Sequence, residues 1–257
     1  MSLVFSEDER NSPLYKYFEI DIEPTPKEKV DQIMKGEFNP KDALMPTEMN
    51  KLFDDGYLPG EFGWYRLEDN AIMVANFTSM PGVTPEMFDW WFAWHGLDSI
   101  RYKIWDKDDH YYCKTRNPEV ALDSNLSMRE RYWNTTHDIK EALLDGQEPM
   151  DICLNFVPPE TVGFDKEKLK NFDGTIVCTP GPVIMAHFIR PTKDGCELRT
   201  RFWLGYSAVN NVPVRISEFI PDDMMAKALL IHNIKEFTHL AKILPRVYEE
   251  FKDKFIL

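Results

Sequence analysis

The segment VIMAHFIRPTKDGCELRTRFWLGYSAV, residues 183–209, decides the fold, because two β-prone runs flank the dipeptide Asp194-Gly195. An Asp-Gly pair between runs rich in Val, Ile, Phe and Trp is a strong signal for a tight β-hairpin. If Asp194-Gly195 forms a two-residue turn, His187 faces Phe202 across the hairpin. The two side chains then share one face of the sheet.

Further β-prone runs precede this hairpin, and helical segments lie on both sides of it. The predicted strands are residues 63–67, 71–77, 135–144, 150–157, 175–178, 183–190 and 197–209. A helix capped by Thr84, with Pro85 in its first turn, is predicted to end at Gly96. A longer helix is predicted from about residue 222 to residue 251, with Pro245 expected to kink or divide it. A strand-rich middle followed by a long terminal helix predicts an α+β fold.

The composition indicates a globular chain with a packed core. Of its 257 residues, 43% are hydrophobic and 13% are aromatic, which excludes collagen, coiled coil and general disorder. The first fifty residues are charged and contain scattered prolines, so residues 1–50 are predicted to form an N-terminal extension.

The charge and hydropathy of the chain exclude several kinds of partner. Thirty Lys and Arg against 43 Asp and Glu give a net charge of -13, which disfavours binding to nucleic acid or to anionic membrane surfaces. No apolar stretch approaches the ~18 to 20 residues of a membrane-spanning helix, and the start MSLVFSEDER does not resemble a signal peptide. These features predict a cytoplasmic protein and leave open whether it forms a homo-oligomer.

Several familiar reactive motifs are missing from the sequence. The four cysteines contain no C-x-x-C pair, so they are expected to be buried free thiols. The chain also lacks a P-loop, a G-x-G-x-x-G fingerprint and a G-x-S-x-G nucleophile elbow. Chemistry of those three classes is therefore disfavoured.

The terminal helix contains a spacing that could bind a metal ion. His232, Glu236 and His239 are placed at i, i+4 and i+7, on one helical stripe. Imidazole and carboxylate groups one turn apart can bind the same Zn²⁺, Fe²⁺ or Mn²⁺ ion. The alternative is a solvated helix face with an ordinary His–Glu pair.

Two other histidine segments remain ambiguous on the same grounds. His137 and Glu141 lie in a predicted strand, where alternation places them on one face together with Ile139. That face could be the wet side of the strand, and His110, in an acidic run, could be an exposed loop residue. Only convergence of these groups in space would make a site.

Aromatic residues are concentrated in and after the first predicted helix. They could line a pocket for a flat aromatic ligand or simply fill a core. The residues concerned are Trp90, Trp91, Phe92, Trp94 and His95, followed by Tyr102 and Trp105. His187, on a strand with apolar neighbours, could likewise be an ordinary buried histidine.

A set of motifs, taken jointly and in this order, resembles the family of diacetylphloroglucinol hydrolase and phloretin hydrolase. The likeness extends from about residue 45 to residue 250. The motifs are Asp55-Gly-Tyr-Leu-Pro59, Met80-Pro-Gly82, Met87-Phe-Asp-Trp-Trp-Phe92, Arg101-Tyr-Lys-Ile-Trp105 with Asp109-His110, Arg201-Phe-Trp-Leu-Gly205, and His232-x-x-x-Glu236.

The resemblance implies a zinc enzyme that hydrolyses the carbon–carbon bond between an acyl group and a polyhydroxylated aromatic ring. It implies an α+β helix-grip fold (Bet v1/START-like), in which a curved antiparallel sheet in residues 51–257 surrounds the long C-terminal helix. The metal ligands that it implies are His110, Glu141, His232 and Glu236, with Glu130 as the alternative to Glu141.

The resemblance also implies roles in the substrate pocket. Tyr102 matches a substrate-binding tyrosine and His187 a pocket histidine, and both are candidates for holding ring hydroxyls and moving a proton. Trp91 and His95, from the aromatic segment, are further candidates for substrate binding. Phe202 stands where a relative has a tyrosine hydroxyl, so the substrate itself stays open. Two other functions remain as alternatives: a metal-free binding protein for aromatic ligands, and a nonhaem iron oxygenase.

Overall fold

The strands form antiparallel sheets in the computed structural model, which describes residues 5–36, 38–144 and 146–256. The strands are β1 (Gly63–Arg66), β2 (Ile72–Pro81), β3 (His110–Thr115), β4 (Thr135–Glu141), β5 (Met150–Phe156), β6 (Thr175–Pro180), β7 (Val183–Thr192), β8 (Gly195–Leu204), β9 (Tyr206–Val209) and β10 (Val212–Arg215). They are ordered β1-β2-β8-β7-β6 in a five-stranded sheet, β3-β4-β5 in a second sheet, and β9-β10 in a two-stranded ribbon. With the C-terminal helix, this arrangement confirms the predicted α+β class.

The α-helices of the described residues are mostly short, apart from the last. They are α1 (Glu7–Asn11), α2 (Tyr15–Phe18), α3 (Lys27–Lys35), α4 (Pro85–Trp94), α5 (Ser99–Lys103), α6 (Pro118–Ala121), α7 (Lys166–Lys170) and α8 (Asp223–Phe251). Short 3-10 helices cover Pro40–Asp42, Pro46–Phe53, His95–Leu97 and Pro159–Val162. None of the helices in the described part of the chain has both the length and the apolar character needed to cross a membrane.

The ends of α4 and the course of α8 test the sequence predictions. Thr84 caps α4 as predicted, with its hydroxyl accepting a hydrogen bond from the Met87 N–H, an interaction worth ~1 kcal/mol. Pro245 does not divide α8, which is continuous over all of its 29 residues. Val247 and Phe251, beyond the proline, are buried in the same core as the preceding turns, and this packing holds the helix together.

The five-stranded sheet has a hydrophobic core on each face. Met185 on β7 belongs to the core that includes Phe237 of α8. Phe188, three residues further along the same strand, belongs with Trp203 and Leu52 to the core on the opposite face. Strand alternation therefore decides which side chains of β7 and β8 face α8.

The register of the β7–β8 hairpin differs by two residues from the predicted one. Gly195 pairs with Thr192, so the two residues between them form the turn, and His187 faces Thr200. Gly195, which was predicted to lie in the turn, is the first residue of β8, and there β2 packs closely against it. A Cβ at this position would lie 2.4 Å from the carbonyl oxygen of Met80.

The predicted common face for His187 and Phe202 is nevertheless confirmed. A shift of two residues preserves the alternation of side chains, whereas a shift of one would reverse it. The ring centroids of His187 and Phe202 are 5.8 Å apart.

Strand β3 was not predicted, because its residues HYYCKT follow an acidic run and lack a clear alternation of apolar side chains. Strand β3 pairs with β4, and β4 pairs with β5. Directly after β5, the Val157 N–H donates a hydrogen bond to the Cys178 carbonyl at 3.1 Å and forms an isolated β-bridge. This bridge joins the three-stranded sheet to β6 at the edge of the five-stranded sheet.

The cysteines are free, but they are not all buried. Cys113, Cys178 and Cys196 are buried as predicted. Cys153 is exposed, and for this residue the prediction was wrong. It lies on the side of β5 that faces solvent, opposite to the face of Ile152 and Leu154.

The N-terminal segment lies against both α8 and the sheet. The Tyr17 hydroxyl donates to Glu250 at 2.8 Å, and the Thr25 hydroxyl donates to the Ile231 carbonyl at 3.0 Å. Leu44 and Met49 pack in the core on the face of the sheet opposite to α8. Residues 1–4 and 37 of the predicted extension lie outside the described residues.

Candidate active site

A cavity of about 190 Å³ lies between α8 and the strands β4, β5, β7 and β8. It is lined by Phe92, His95, Tyr102, Trp105, His137, Ile139, Glu141, Leu143, Met150, Ile152, Leu154, Phe156, Thr179, Val183, Met185, His187, Phe202, Met225, Leu229, His232 and Glu236. A mostly apolar wall with a few imidazole, carboxylate and hydroxyl groups is typical of a site for a small organic ligand.

Four side chains bring nitrogen and oxygen donors together at this cavity. The Nε2 atom of His110 lies 3.4 Å from Nε2 of His232, 3.9 Å from Oε2 of Glu141 and 3.8 Å from Oε2 of Glu236. The Nε2 atom of His232 lies 4.0 Å from the same Glu236 oxygen. We call these four residues the His₂Glu₂ cluster.

The positions of these residues follow from two local geometries. His110 begins β3 and Glu141 ends β4, and the two are direct partners across the antiparallel pair. His232 and Glu236 are one turn apart on α8, as the sequence predicts. Packing of α8 against the sheets therefore completes a cluster from two pairs, neither of which would make a site alone.

Hydrogen bonds outside the cluster orient its members. Nδ1 of His110 donates to the Tyr102 carbonyl at 3.1 Å, which leaves Nε2 free to face the other donors. The Tyr102 hydroxyl donates to Glu141, and the Asn233 amide donates to Glu236 at 3.2 Å. Such partners restrict the rotamers of metal-binding side chains.

His232 is supported by a buried acidic group behind it. Its Nδ1 atom lies 3.7 Å from Oδ2 of Asp109, and this carboxylate also contacts the ammonium group of Lys235. The arrangement resembles the carboxylate–histidine pairs that support metal ions in many proteins. Asp109 had no role in the sequence analysis, where it was noted only as part of an acidic run and as the neighbour of His110.

Burial and mutual repulsion shift the pKa values within the cluster. Burial, reinforced by the Glu141 carboxylate, raises the pKa of Glu236 to about 8. Burial alone would lower the pKa of His232, but the carboxylates of Asp109, Glu236 and Glu141 raise it to about 9. Burial and the positive charge of His232 lower the pKa of His110 well below its usual value. Without a cation, the cluster therefore holds protons at neutral pH that a metal ion could replace.

The donor set fits a zinc ion. Four ligands placed tetrahedrally at ~2.0 to 2.2 Å from zinc lie about 3.3 to 3.6 Å from one another. The separations measured from His110 and His232, 3.4 to 4.0 Å, are close to that range. His110, Glu141 and His232 offer ligand atoms that all lie within 4.8 Å of one another; this group does not include Glu236, which approaches the two imidazoles. Two imidazoles and two carboxylates also suit Fe²⁺ or Mn²⁺, so the geometry supports a divalent metal without identifying it.

The two remaining candidates for metal binding lie elsewhere. Glu130 is exposed, and its carboxylate accepts hydrogen bonds from the N–H and the hydroxyl of Ser127 at 2.9 and 2.5 Å. His239, third on the helical stripe, is buried but lies in a separate cleft with Pro81. His110, in contrast, is fully buried rather than an exposed loop residue.

Most of the expected substrate residues reach the cavity. Tyr102, His95, His187 and Phe202 line it, and burial lowers the pKa of His187 to about 3. Trp91 lies one layer behind, with its ring stacked on that of His95 at 5.9 Å. Trp91 can therefore support the wall without touching a ligand.

His137 lines the cavity as well and had no assigned role in the sequence analysis. It lies on the same face of β4 as Ile139 and Glu141, as strand alternation predicts. Strand alternation groups His137 with Ile139 and Glu141 on one face. It could therefore have identified His137 as a cavity residue if that face had been known to be the buried one.

Comparison with known proteins gives a consistent result. A family model described as DAPG hydrolase PhiG domain matches residues 44–249. The chain is 37% identical to phloretin hydrolase of Eubacterium ramulus, across 97% of this chain and 94% of the relative. It is 27% identical to the 2,4-diacetylphloroglucinol hydrolases of Pseudomonas protegens and of a Pseudomonas sp., across 94% of this chain and 85% and 89% of those relatives.

These matches cover nearly the whole chain and agree with the motifs that carry the resemblance in the sequence. The chain therefore belongs to the DAPG hydrolase family and is an enzyme of the hydrolase class.

Proposed function

We propose that this hydrolase uses zinc to cleave the carbon–carbon bond between an acyl group and a polyhydroxylated aromatic ring, in an aryl ketone such as phloretin or 2,4-diacetylphloroglucinol. The observation that carries this proposal is the His₂Glu₂ cluster, which opens onto a largely apolar cavity. The names of the relatives support the substrate class.

The proposal includes the architecture. We infer a helix-grip domain in residues 51–257, with residues 1–50 as its extension. The support is that antiparallel sheets and α8 enclose the cavity between them, and that the family match begins at residue 44.

The four cluster residues would hold the metal through His110 Nε2, His232 Nε2 and one carboxylate oxygen each from Glu141 and Glu236. When bound there, zinc would supply Lewis acidity for the ketone oxygen and lower the pKa of water toward ~7. The two carboxylate ligands would neutralise the charge of the ion, so its Lewis acidity is weaker than with three imidazoles. Other groups must therefore contribute to the rate.

The leaving group in this reaction is a ring carbon, which departs easily only after it has been protonated. A ring that carries hydroxyl groups next to or opposite the acyl group can ketonise, and the bonding electrons then end in a phenol. His187 is suited to this step because burial keeps its ring neutral, and because Nδ1 is held by the Thr200 hydroxyl at 3.0 Å. Its Nε2 atom can accept a proton from a ring hydroxyl and return it to the ring carbon.

Tyr102 would act as a positioning group for both metal and substrate. Its ring is stacked in parallel on that of His110, with centroids 3.8 Å apart, while its hydroxyl donates to Glu141. Burial raises the pKa of Tyr102 well above its usual value, so the hydroxyl keeps its proton as a hydrogen-bond donor.

The proposal is tested by metal analysis of the purified protein together with product analysis in ¹⁸O-labelled water. We expect about one zinc per chain, and from phloretin we expect phloroglucinol and a carboxylic acid that carries one ¹⁸O atom. Ligand binding without metal or turnover would favour a binding protein. Iron with a requirement for O₂, and with label taken from O₂ rather than water, would favour an oxygenase.

A further inference from the structure

Two buried histidines that the His₂Glu₂ cluster does not use face the same cavity. His95 follows α4 and His137 lies on β4, with ring centroids 5.1 Å apart. The ring of His137 rests on the backbone of Gly96, where a Cβ would lie 2.3 Å from its Cε1 atom. Gly96 thus leaves the space in which this ring is seated against the end of α4.

The hydrogen bond of His95 determines its tautomer. Nδ1 of His95 lies 2.9 Å from the carbonyl oxygen of Trp91, which can only accept, so Nδ1 carries the hydrogen. Burial lowers the pKa of His95 to about 4, and the ring is therefore neutral at physiological pH. In a neutral imidazole with hydrogen on Nδ1, Nε2 is an acceptor.

The neighbour of His137 favours the opposite tautomer. Nδ1 of His137 lies 3.9 Å from Sγ of Cys113. Burial raises the pKa of this thiol well above its usual value, so the sulfur keeps its hydrogen. Imidazole nitrogen accepts hydrogen bonds better than sulfur does, and the S–H group therefore donates to Nδ1. The hydrogen of the neutral His137 ring then resides on Nε2, which is a donor.

We propose that His95 and His137 form a phenol-binding subsite, in which Nε2 of His95 accepts the hydrogen of a ring hydroxyl and the Nε2–H of His137 donates to its oxygen. Within the described residues, neither Nε2 atom has a hydrogen-bond partner. The two ring centroids are 5.1 Å apart, and both rings line the cavity. A hydroxyl oxygen at ~2.8 Å from two nitrogens can bridge a gap of up to ~5.6 Å, which rings this close allow.

This subsite rests on the proposed function, since it names side chains that recognise the polyhydroxylated ring. It also predicts that the subsite distinguishes a ring hydroxyl from other substituents at the same position. A hydroxyl can use both nitrogens, because it donates and accepts, whereas an ether or carbonyl oxygen can use only the His137 donor. A ring position occupied by hydrogen leaves both nitrogens unpaired.

A direct test is the tautomeric state of each ring in the ¹⁵N-labelled protein. Two-bond ¹⁵N–¹H correlation spectra distinguish hydrogen on Nδ1 from hydrogen on Nε2, and the signals can be assigned with His95→Gln and His137→Gln. We expect the Nδ1–H form for His95 and the Nε2–H form for His137. The same tautomer in both rings, or a charged ring at pH 7, would overturn the proposal.

Binding of unreactive rings tests the recognition itself. Phloroglucinol has three hydroxyls and resorcinol has two, so a bound resorcinol ring carries hydrogen at one position where phloroglucinol carries a hydroxyl. We expect the unaltered protein to bind phloroglucinol more tightly by about 2- to 12-fold for each hydrogen bond gained. In His137→Phe the preference should fall by the factor of about 2 to 12 that one hydrogen bond contributes, while the control His239→Phe, outside the cavity, should keep the preference. An undiminished preference in His137→Phe would contradict the subsite.

The thiol provides a second pair of variants in case His137→Phe does not fold. Cys113→Ser retains a donor to Nδ1 and should keep the preference for phloroglucinol, whereas Cys113→Ala should reduce it. Equal behaviour of the two variants would refute the tautomer argument. A second equivalent of zinc, bound by the unaltered protein and lost in Cys113→Ser, would instead make His95, Cys113 and His137 a metal site and overturn the proposal.

The tautomer spectra and the ligand-binding measurements do not depend on turnover. The proposed function and the proposed subsite can therefore fail separately. Lack of aryl ketone cleavage with the ligand preference intact would refute the proposed function alone. Cleavage without any coupling between His137 and the third hydroxyl would refute the subsite alone.

Discussion

Replacement of Glu141 by glutamine is expected to weaken zinc binding by about 10²-fold, while the same replacement at Glu130 leaves it unchanged. Glu141 offers a carboxylate oxygen 3.9 Å from Nε2 of His110. Glu130 is exposed and is bound only to Ser127 among the described residues. The two variants thus make the same chemical change inside and outside the His₂Glu₂ cluster.

The magnitude follows from the number of ligands. Zinc binding at protein sites of four ligands is worth about 10 to 16 kcal/mol, or about 2.5 to 4 kcal/mol per ligand, which corresponds to about 10²- to 10³-fold in affinity. The loss at neutral pH should lie toward the lower limit. The Glu141 charge helps to raise the pKa values of Glu236 and His232, so its removal lets these two ligands lose their protons more readily.

The fold should tolerate this change. Glutamine has nearly the same shape as glutamate, and its amide oxygen can still accept the hydrogen bond from Tyr102. Zinc affinity would be measured by competition with a chromophoric chelator, with thermal unfolding of the metal-free proteins as the check on folding. Loss of zinc in Glu130→Gln with normal affinity in Glu141→Gln would reverse the assignment.

Three further outcomes are expected. His232→Ala and Glu236→Ala should each abolish bound metal and turnover but keep the circular dichroism spectrum of the fold, whereas His239→Ala should retain metal; full zinc occupancy in either of the first two would exclude the helix pair as ligands. Zinc affinity should rise from pH 7 to pH 9, by up to about tenfold per pH unit for each proton displaced, because Glu236 and His232 have pKa values of about 8 and about 9 and must be deprotonated to bind; a flat profile, after correction for the chelator, would contradict this. Phe202→Tyr should shift the ratio of turnover toward trihydroxyphenyl ketones such as phloretin, relative to dihydroxyphenyl ketones, by about two- to twelvefold, since it adds a hydroxyl at the cavity wall, and an unchanged or reversed ratio would show that Phe202 does not contact the ring.

Patterns within single elements were readable from the sequence. Alternation placed His187 and Phe202 on one face of the hairpin, and the same rule placed Glu141 on one face of β4 with His137 and Ile139. The spacing of His232 and Glu236 placed both on one side of α8. These inferences held because the side-chain direction in a strand or helix repeats with a fixed local period.

Contacts between elements were decided by the tertiary structure. The hairpin register follows from the close approach of β2 to Gly195, which no local turn rule contains. The burial of His110 depends on β3, a strand without a clear hydrophobic alternation, and on its pairing with Glu141. The role inferred for His137 depends on Gly96, which is distant from it in sequence.

The candidate site itself shows the same division. The resemblance named His110 and Glu141 as candidate ligands, and helical spacing placed His232 and Glu236 on one stripe of α8. The approach of the two pairs to within 4 Å was decided only when α8 packed against the sheets. Local periodicity is a property of the backbone, whereas the distance between a helix and a strand depends on the volumes of all the side chains packed between them.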